Sequence, residues 1–310
     1  ALNAHTFFQE TQLDNSKCLY LKTRFAPYGY AGYCLDYTKP NTAEGFLEQI
    51  KLAVKAGFDC WKIIEAKPNS QCFWKHRMDD EIYEPAFNYA EEKRLPIIVH
   101  VGDPIGMWDD EYKKGYLQKE EYQQQMYNVL ERHPNLVLTF AHFGFMCDKP
   151  EFVENMFKKY KTVYLDNVPG PEEYFVIAKN PAPWKRLMEK YSDRFIFGFT
   201  KEEYFKHYPE TVTYELNMLT KDGEYDGKYP FEGYEYHWGK VLYGLNLSDE
   251  AFNNIVYNNF MRIYGEPKPV NYECLYEIAK HEFALPSKSP YLKSDYEKIV
   301  NECKKHGVKF

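Results

Sequence analysis

Short hydrophobic runs alternate along the chain with longer segments of helical periodicity. The hydrophobic runs lie at about residues 28–36, 60–65, 96–101, 136–142, 163–168 and 195–200. A run that is apolar at consecutive positions predicts a strand buried on both faces, because a strand with one wet face alternates apolar and polar residues. The pattern therefore predicts six parallel strands joined by helices, as in repeated βαβ units.

The segment NTAEGFLEQIKLAVKAG shows the helical pattern most clearly. One side of this predicted helix carries the apolar residues Phe46, Leu47, Ile50, Ala53 and Val54. These positions share one face at about 3.6 residues per turn. Asn41 or Thr42 can cap the start of the helix, and Gly57 can close its end.

Successive units of this kind fit either a doubly wound sheet or a (β/α)8 TIM barrel. A doubly wound dinucleotide-binding sheet carries a GxGxxG turn after its first strand, and the sequence has no such motif. We therefore predict the barrel. Beyond residue 200 the strand signal fades and helices dominate, including LSDEAFNNIVYNNFMRIYG with Ser248 as its cap.

The tail of the chain has a different pattern from the rest. It opens with two prolines, Pro267 and Pro269, and continues with helical periodicity. We predict that residues 1–265 form the barrel and that residues 266–310 form a helical appendage packed on it. The acidic, tyrosine-rich run at 221–240 has the composition of a long surface loop, either a lid over the barrel mouth or a homodimer contact.

Composition narrows the classes of partner. The net charge of the 310 residues is −7 and the basic residues are scattered, so nothing indicates a nucleic-acid surface. No apolar run approaches the roughly 18 residues of a membrane span, and the start ALNAHTFFQE has no basic region followed by an apolar one. We expect a small-molecule substrate, with no nucleic acid and no membrane as partner.

The cysteines indicate a compartment. There are 7 of them, widely spaced and without a CxxC pair. This pattern fits reduced thiols in a cytoplasm better than a disulfide framework or a cysteine zinc site. Cys34 and Cys60 lie in strand-like segments, so we expect them to be packing residues.

Candidate chemistry collects at the ends of the predicted strands. In a parallel barrel the loops that follow the strands form one mouth, where function concentrates. The strands end in Glu65, His100, His142, Asp166 and Thr200. A single histidine there could be a core residue bonded to the backbone, but His100 and His142 have matching contexts, IIVHVG and TFAHFG. We therefore expect both to be functional.

Four segments carry a resemblance to a known family. RLPIIVHVGDP, RHPNLVLTFAHFG, DRFIFGF and LSDEAFNNIVYNNFMRIYG resemble successive signatures of the amidohydrolase-related family of metal-dependent TIM-barrel hydrolases and decarboxylases. The resemblance runs from about residue 28 to 265, and HPNLVLTFAHFG is its most specific part. It implies a divalent metal, usually zinc. It also implies that His100, as the fifth-strand histidine, ligates the metal and that His142, on the sixth strand, is a ligand or a proton carrier.

The chain departs from the family pattern at two places. The first-strand HxH pair is missing: LNAHTFF is either an altered version that keeps His5, or the chain begins just after the second strand, which we favour. The eighth-strand aspartate is replaced by Thr200, a poor metal ligand that cannot act as a base near neutral pH. Glu202 or Glu203 could reach back, although a loop glutamate is more often solvated.

Other residues could complete the site. Glu65 is a second metal-ligand candidate or the partner of Lys62 or Lys67, and Asp166 is a catalytic candidate or a cap of the turn that follows it. Lys62, predicted on a strand, could bind a substrate carboxylate or pair with a carboxylate of the protein. Trp108 could contribute to an aromatic substrate-binding wall.

Three functions follow from these candidates. The leading one is a metal-dependent hydrolase or decarboxylase of a small organic acid, lactone or amide, with the ion held partly by His100 and the proton moved by His142. The second is a metal-free barrel that serves as a binding or scaffold protein, which Thr200 favours. The third is a glycosidase in which Glu65 and Asp166 form the carboxylate pair.

Overall fold

The computed structural model describes residues 6–8, 14–102, 115–168, 171–198, 208–227, 240–285 and 293–309. Its strands are β1 (Thr6–Phe8), β2 (Gly29–Tyr33), β3 (Cys60–Ile63), β4 (Ile97–Val99), β5 (Leu138–Phe140), β6 (Val163–Asp166), β7 (Phe195–Ile196), β8 (Asp222–Asp226) and β9 (Val241–Leu245). Its helices are α1 (Asn15–Arg24), α2 (Ala43–Ala56), α3 (Pro68–Trp74), α4 (Glu84–Glu92), α5 (Lys119–Arg132), α6 (Pro150–Lys159), α7 (Pro171–Lys179), α8 (Pro181–Lys190), α9 (Tyr208–Thr220), α10 (Asp249–Asn253), α11 (Asn259–Tyr264), α12 (Tyr272–Ala284) and α13 (Lys293–Lys305). Short 3-10 turns lie at Glu81–Tyr83, His142–Phe145 and Ser192–Arg194, and a π-helical turn lies at Asn254–Asn258.

Strands β1 to β7 form one sheet in the order of the chain. The pairs β1–β2, β2–β3, β5–β6 and β6–β7 are parallel, and at least one helix separates consecutive strands. All six predicted strands are present, each shorter than its hydrophobic run. β1 lies within LNAHTFF, where the favoured interpretation of the sequence placed no strand. The architecture is an incomplete (β/α)8 barrel, as the alternating pattern predicted.

Helix α2 forms where the sequence predicts it. The Thr42 hydroxyl accepts a hydrogen bond from Gly45 N at 3.0 Å and caps the start, and Gly57, at φ 94°, ends the helix in a left-handed conformation. Phe46 and Ile50 are fully buried on its apolar face. A β-carbon on Gly57 would lie 2.2 Å from the Pro269 carbonyl oxygen, so both space and backbone conformation require glycine there.

The chain divides into two compact units. The first comprises Ala1–Ile64, Asp79–Ile98 and Tyr264–Phe310. Within it, the buried Asp59 carboxylate accepts from Lys22 Nζ at 2.6 Å and from Ala31 N at 2.8 Å. On α12, Glu282 accepts from Asn15 N and Ser16 N at the start of α1. The predicted helices of the tail are therefore present, while the domain division at residue 265 stays a prediction.

The second unit comprises Glu65–Met78 and Val99–Ile263. Asn259, at the start of α11, donates from its side chain to the Ser192 and Phe195 carbonyls at 2.6 and 2.7 Å. Beyond β7, Phe197 N donates to Ile255 O at 2.8 Å. The helix predicted from LSDEAFNNIVYNNFMRIYG begins at its Ser248 cap and widens to a π-helical turn at Asn254–Asn258. The Ile255 carbonyl that accepts from Phe197 N lies in this turn.

One strand pair was not predicted. β8 and β9 form an antiparallel hairpin, so part of the expected loop at 221–240 is strand. The sequence DGEYD has exposed charges at alternate positions and little apolar surface. Its strand conformation depends on backbone pairing with β9, which a local pattern does not reveal.

Two further expectations concern cysteines and membranes. The seven cysteines all lie in the described ranges and form no disulfide, and Cys34 and Cys60 are buried as predicted. Across the ranges that the structure describes, no helix combines the length and the apolar character needed to cross a membrane.

Candidate functional site

The structure brings His100 and His142 together at the ends of two strands. His100 directly follows β4, and His142 lies two residues after β5. Ala141 N donates to Val99 O at 2.9 Å, which joins the two strand ends immediately beside the histidines. The ring centroids are 5.0 Å apart, with the rings inclined at 70°. The matching sequence contexts thus correspond to neighbouring positions in space.

His142 begins a left-handed turn. The φ angles of His142, Phe143, Gly144 and Phe145 are 56°, 52°, 59° and 52°. For a residue other than glycine this conformation costs about 1–2 kcal/mol, so the turn is strained at several consecutive positions. Such strain persists only where surrounding contacts impose it, and it concentrates at functional sites.

Hydrogen bonds from other segments impose the turn. Asp166, the last residue of β6, accepts at Oδ1 from His142 N at 2.7 Å and from Val168 N at 3.2 Å. Gln123 on α5 is buried and donates from Nε2 to Gly144 O at 3.0 Å. Asp166 therefore does cap the turn that follows β6, and it also holds the backbone of His142.

The imidazole of His142 is oriented by a backbone carbonyl. Its Nδ1 lies 2.8 Å from Val168 O. A carbonyl oxygen can only accept, so Nδ1 carries the hydrogen and donates it. In the neutral ring Nε2 is then the unprotonated nitrogen, which is the tautomer that a proton acceptor or a histidine ligating a metal through Nε2 requires.

Aromatic side chains border and support the two histidines. The Phe145 ring lies 5.5 Å from that of His100 and 5.4 Å from that of His142, so it forms an apolar wall beside both. Phe143 packs edge-on against Trp184 at 5.5 Å. The strained turn thus sends Phe143 into the core and leaves Phe145 beside the histidines.

Glu65 lies in the second unit with both histidines. It is two residues past β3 and is 1% exposed. The next residue, Ala66, accepts at its carbonyl from Gly102 N at 3.1 Å, which joins the segments that carry Glu65 and His100. A carboxyl buried this deeply requires a hydrogen-bond donor, a cation or a proton.

The other predicted site residues are placed differently. Lys62 is buried on β3, in the first unit. Trp108, predicted to bind substrate, and Thr200, at the expected aspartate position, lie outside the described residues. The same holds for the candidates His5, Glu202 and Glu203.

The side chains of His100, His142 and Glu65 are of the types that ligate divalent metals, but among the described residues they do not complete a site. Imidazoles suit zinc and other divalent transition metals, and a carboxylate such as Glu65 can complement them. However, no group of three or more His, Cys, Asp or Glu side chains within the described ranges is arranged to hold an ion. A catalytic zinc usually takes three protein ligands, so these residues alone do not complete such a site.

A buried acidic cluster lies behind the His142 turn. The Tyr174 hydroxyl donates to Asn167 O at 3.2 Å. Asn167 lies in the chain between Asp166 and Val168, the two residues that bind His142. Burial raises the pKa of Glu215 well above its ordinary value; the Tyr174 hydroxyl opposes this shift and Glu173 adds to it. The Glu215 carboxyl in the folded protein therefore stays protonated to a higher pH than an exposed glutamate does.

Gln123 and Val168 are the site residues that sequence reasoning missed. A glutamine within a helix is typically solvent-exposed, and nothing in QKEEYQQQMY distinguishes Gln123 from its neighbours. Val168 acts through its carbonyl group, which every residue has. Neither role has a sequence signal, because both depend on where distant segments meet.

The sequence matches one protein-family model. The model described as Amidohydrolase covers residues 26–265. This range includes β2 to β9 and all the predicted site residues. No curated protein matches the sequence.

Solved structures with a similar fold have low sequence identity. An uncharacterized TIM-barrel protein from Bordetella bronchiseptica is 13% identical with a TM-score of 0.52, and the match covers 80% of this chain and 71% of that one. A putative amidohydrolase from Staphylococcus aureus is 16% identical, with a TM-score of 0.49 and coverage of 82% and 79%. A dihydroxybenzoic acid decarboxylase from Polaromonas sp. JS666, solved with bound manganese and an inhibitor, is 12% identical, with a TM-score of 0.48 and coverage of 81% and 73%.

The first of these likenesses supports the barrel fold, and the family model extends over most of the chain. The residues that carried the resemblance in the sequence, around His100 and His142, lie within the matched range. The chain belongs to the amidohydrolase family.

Proposed function

We propose that the protein is a metal-dependent hydrolase or decarboxylase that acts on a small organic acid, lactone or amide. One observation carries the proposal: the His142 ring lies beside His100 with its Nδ1 bonded to Val168 O at 2.8 Å. This bond makes Nε2 the unprotonated nitrogen of the neutral ring. The strained backbone at His142 is a further indication, because strain of this kind accumulates at functional sites.

Each predicted residue has a role in this proposal. His100 and Glu65 would hold the divalent ion, with zinc as the first candidate. When bound, the ion would polarise a carbonyl or activate a water molecule. His142 transfers a proton through Nε2, and Asp166 positions His142 through its backbone N–H. Lys62 and Trp108 remain the residues predicted from the sequence to bind the substrate.

Metal content tests the proposal directly. We expect the purified protein, after incubation with zinc and removal of excess ion, to retain about one equivalent by elemental mass spectrometry. His100→Asn should lose this metal. His306→Asn is the matched control, because His306 is about half exposed, lies in the first unit and should leave the metal content unchanged. Absence of retained metal in the wild-type protein would contradict the proposal.

The metal measurement also tests a second candidate function, a metal-free barrel with a binding or scaffold role. Retained metal would exclude this candidate, and absence of metal would support it. The observation that favours this candidate is that, within the described ranges, no three His, Cys, Asp or Glu side chains are arranged to hold a metal ion. The glycosidase alternative is less well supported, because one Asp166 oxygen already accepts two backbone N–H groups.

A further inference from the structure

Lys119 lies beside Gly102, in the segment that follows His100, but has no place in the proposed mechanism. It is the first residue of α5, and its side chain passes Gly102, two residues after His100. A β-carbon built on Gly102 would lie 3.8 Å from Lys119 Cγ and 3.8 Å from Phe145 Cδ2. The Lys119 stem and the Phe145 ring therefore flank the same point of the backbone, and Phe145 contacts both histidine rings.

Among the residues that the structure describes, the charge of Lys119 is only partly compensated. Across the described ranges its ammonium makes no hydrogen bond and no ion pair within 4.0 Å. Burial lowers the pKa of Lys119, the more distant Asp148 carboxylate raises it, and Lys149 lowers it. A partly desolvated cation of this kind gains from any anion that approaches it.

The neighbouring lysine shows the contrast. Lys149 is partly exposed, and its ammonium lies 2.9 Å from Glu120 Oε1. Its charge is therefore both solvated and paired. Lys119 is the lysine whose environment favours an added anion, although both lie close to the same helix terminus.

We propose that Lys119 selects anionic substrates for this site by binding the substrate's carboxylate while the reacting part of the molecule lies at His100 and His142. The assignment rests on the proposed function, since it takes the histidine pair as the reaction centre. The flexible four-carbon stem of lysine lets the ammonium move toward a ligand carboxylate. A charge-assisted hydrogen bond then forms in a region that already excludes part of the solvent.

Binding of benzoate and benzamide tests the role of Lys119, because the two molecules have the same shape and differ in charge. We expect the wild-type protein to bind benzoate at least about tenfold more tightly, as measured by calorimetry. Shifts of the His100 and His142 ring signals, assigned with His→Asn variants, should place benzoate at this site. Lys119→Gln should abolish the preference for benzoate, and Lys119→Arg should retain most of it.

Lys149→Gln is the matched control, because it removes the same charge from a partly exposed and paired position. It should leave the preference unchanged. Lys119→Met keeps the apolar stem and replaces Lys119→Gln if that variant does not fold. The proposal is overturned by equal binding of the two molecules to the wild type, by a preference that survives in the neutral variants, or by an equal loss in Lys149→Gln.

Metal content distinguishes a failure of the Lys119 proposal from a failure of the proposed function. A protein that retains zinc but shows no Lys119-dependent preference contradicts only the role of Lys119. A protein that shows the preference but retains no zinc contradicts only the metal-dependent reaction.

Discussion

His142 combines a backbone conformation and a side-chain contact that few residues can satisfy together. Its φ of 56° is left-handed, which asparagine tolerates better than most residues. Its Nδ1 donates to Val168 O, and the side-chain amide of asparagine can occupy a similar position. Asparagine at 142 therefore preserves the local structure and removes Nε2, the atom to which we assign the chemistry.

We expect His142→Asn to lower turnover by about a hundredfold to ten-thousandfold, the usual contribution of a general acid or base. The melting temperature should change little, because the turn keeps its bonds. The measurement is kcat on a substrate found by screening small acids, lactones and amides. Unfolding of the variant with unchanged activity per folded molecule would show instead that His142 is a structural residue.

Gly144 lies at a crowded point of the same turn, where an added side chain would displace Met146. A β-carbon there would lie 2.5 Å from Met146 Cε and 3.3 Å from Phe140 Cβ, in a backbone conformation with φ of 59°. We expect Gly144→Ala to lower the free energy of unfolding in urea by about 2–4 kcal/mol, from steric overlap together with backbone strain.

Gly223→Ala provides the comparison for this prediction. Gly223 has φ of 80° but no atom within 4 Å of the added β-carbon. Its substitution should cost only the backbone strain, about 1–2 kcal/mol. Equal destabilisation by the two variants would mean that the turn yields to the added methyl group.

The end of strand β6 holds two segments through one side chain. Asp166 Oδ1 binds the backbone N–H groups of His142 and Val168, so this strand end fixes both the histidine and the carbonyl that orients it. Asparagine can supply the same acceptor atom without charge, whereas alanine cannot. The two substitutions therefore separate the positioning role of Asp166 from a role for its charge.

We expect Asp166→Ala to lower stability by about 1–3 kcal/mol, because two partly buried N–H groups lose their acceptor. Asp166→Asn should stay near the wild type in urea unfolding. If Asp166 acts through its hydrogen bonds alone, Asp166→Asn should also retain activity. A loss of activity with unchanged stability would show that the negative charge takes part in catalysis, as predicted from the sequence.

The stability of the molecule should depend on the ionisation of Glu215. Burial raises its pKa in the folded protein well above the ordinary value of 4.5. Above pH 4.5 the folded state therefore binds more protons than the unfolded state, so stability is full below this pH and falls as the pH rises. The loss continues until the pH passes the folded-state pKa.

Glu215→Gln should remove this dependence. We expect the variant to approach or exceed the wild type in melting temperature at pH 8, and to lose its advantage near pH 4. Glu224→Gln, at an exposed position on β8, should follow the wild-type profile. A wild-type stability that rises between pH 5 and pH 8 and a variant with the same slope would contradict the prediction.

Much of this protein could be predicted from local sequence. Apolar runs and helical periodicity predicted six of the barrel strands, helix α2 with its caps, and the placement of His100 and His142 after strands. These features depend on neighbouring residues, because strand burial and helix capping are set within a few positions of the chain. The repeated strand–histidine–glycine context was sufficient to indicate a shared site.

Contacts between distant segments account for what the pattern missed. The β8–β9 hairpin depends on pairing across residues 226 and 241, and the left-handed turn depends on Asp166 and Gln123. The charge environment of Lys119 depends on burial beside Gly102 and Phe145. Hydrogen-bond partners, desolvation and strain arise only when the chain has folded, because each is a property of the groups that meet and not of the residue type alone.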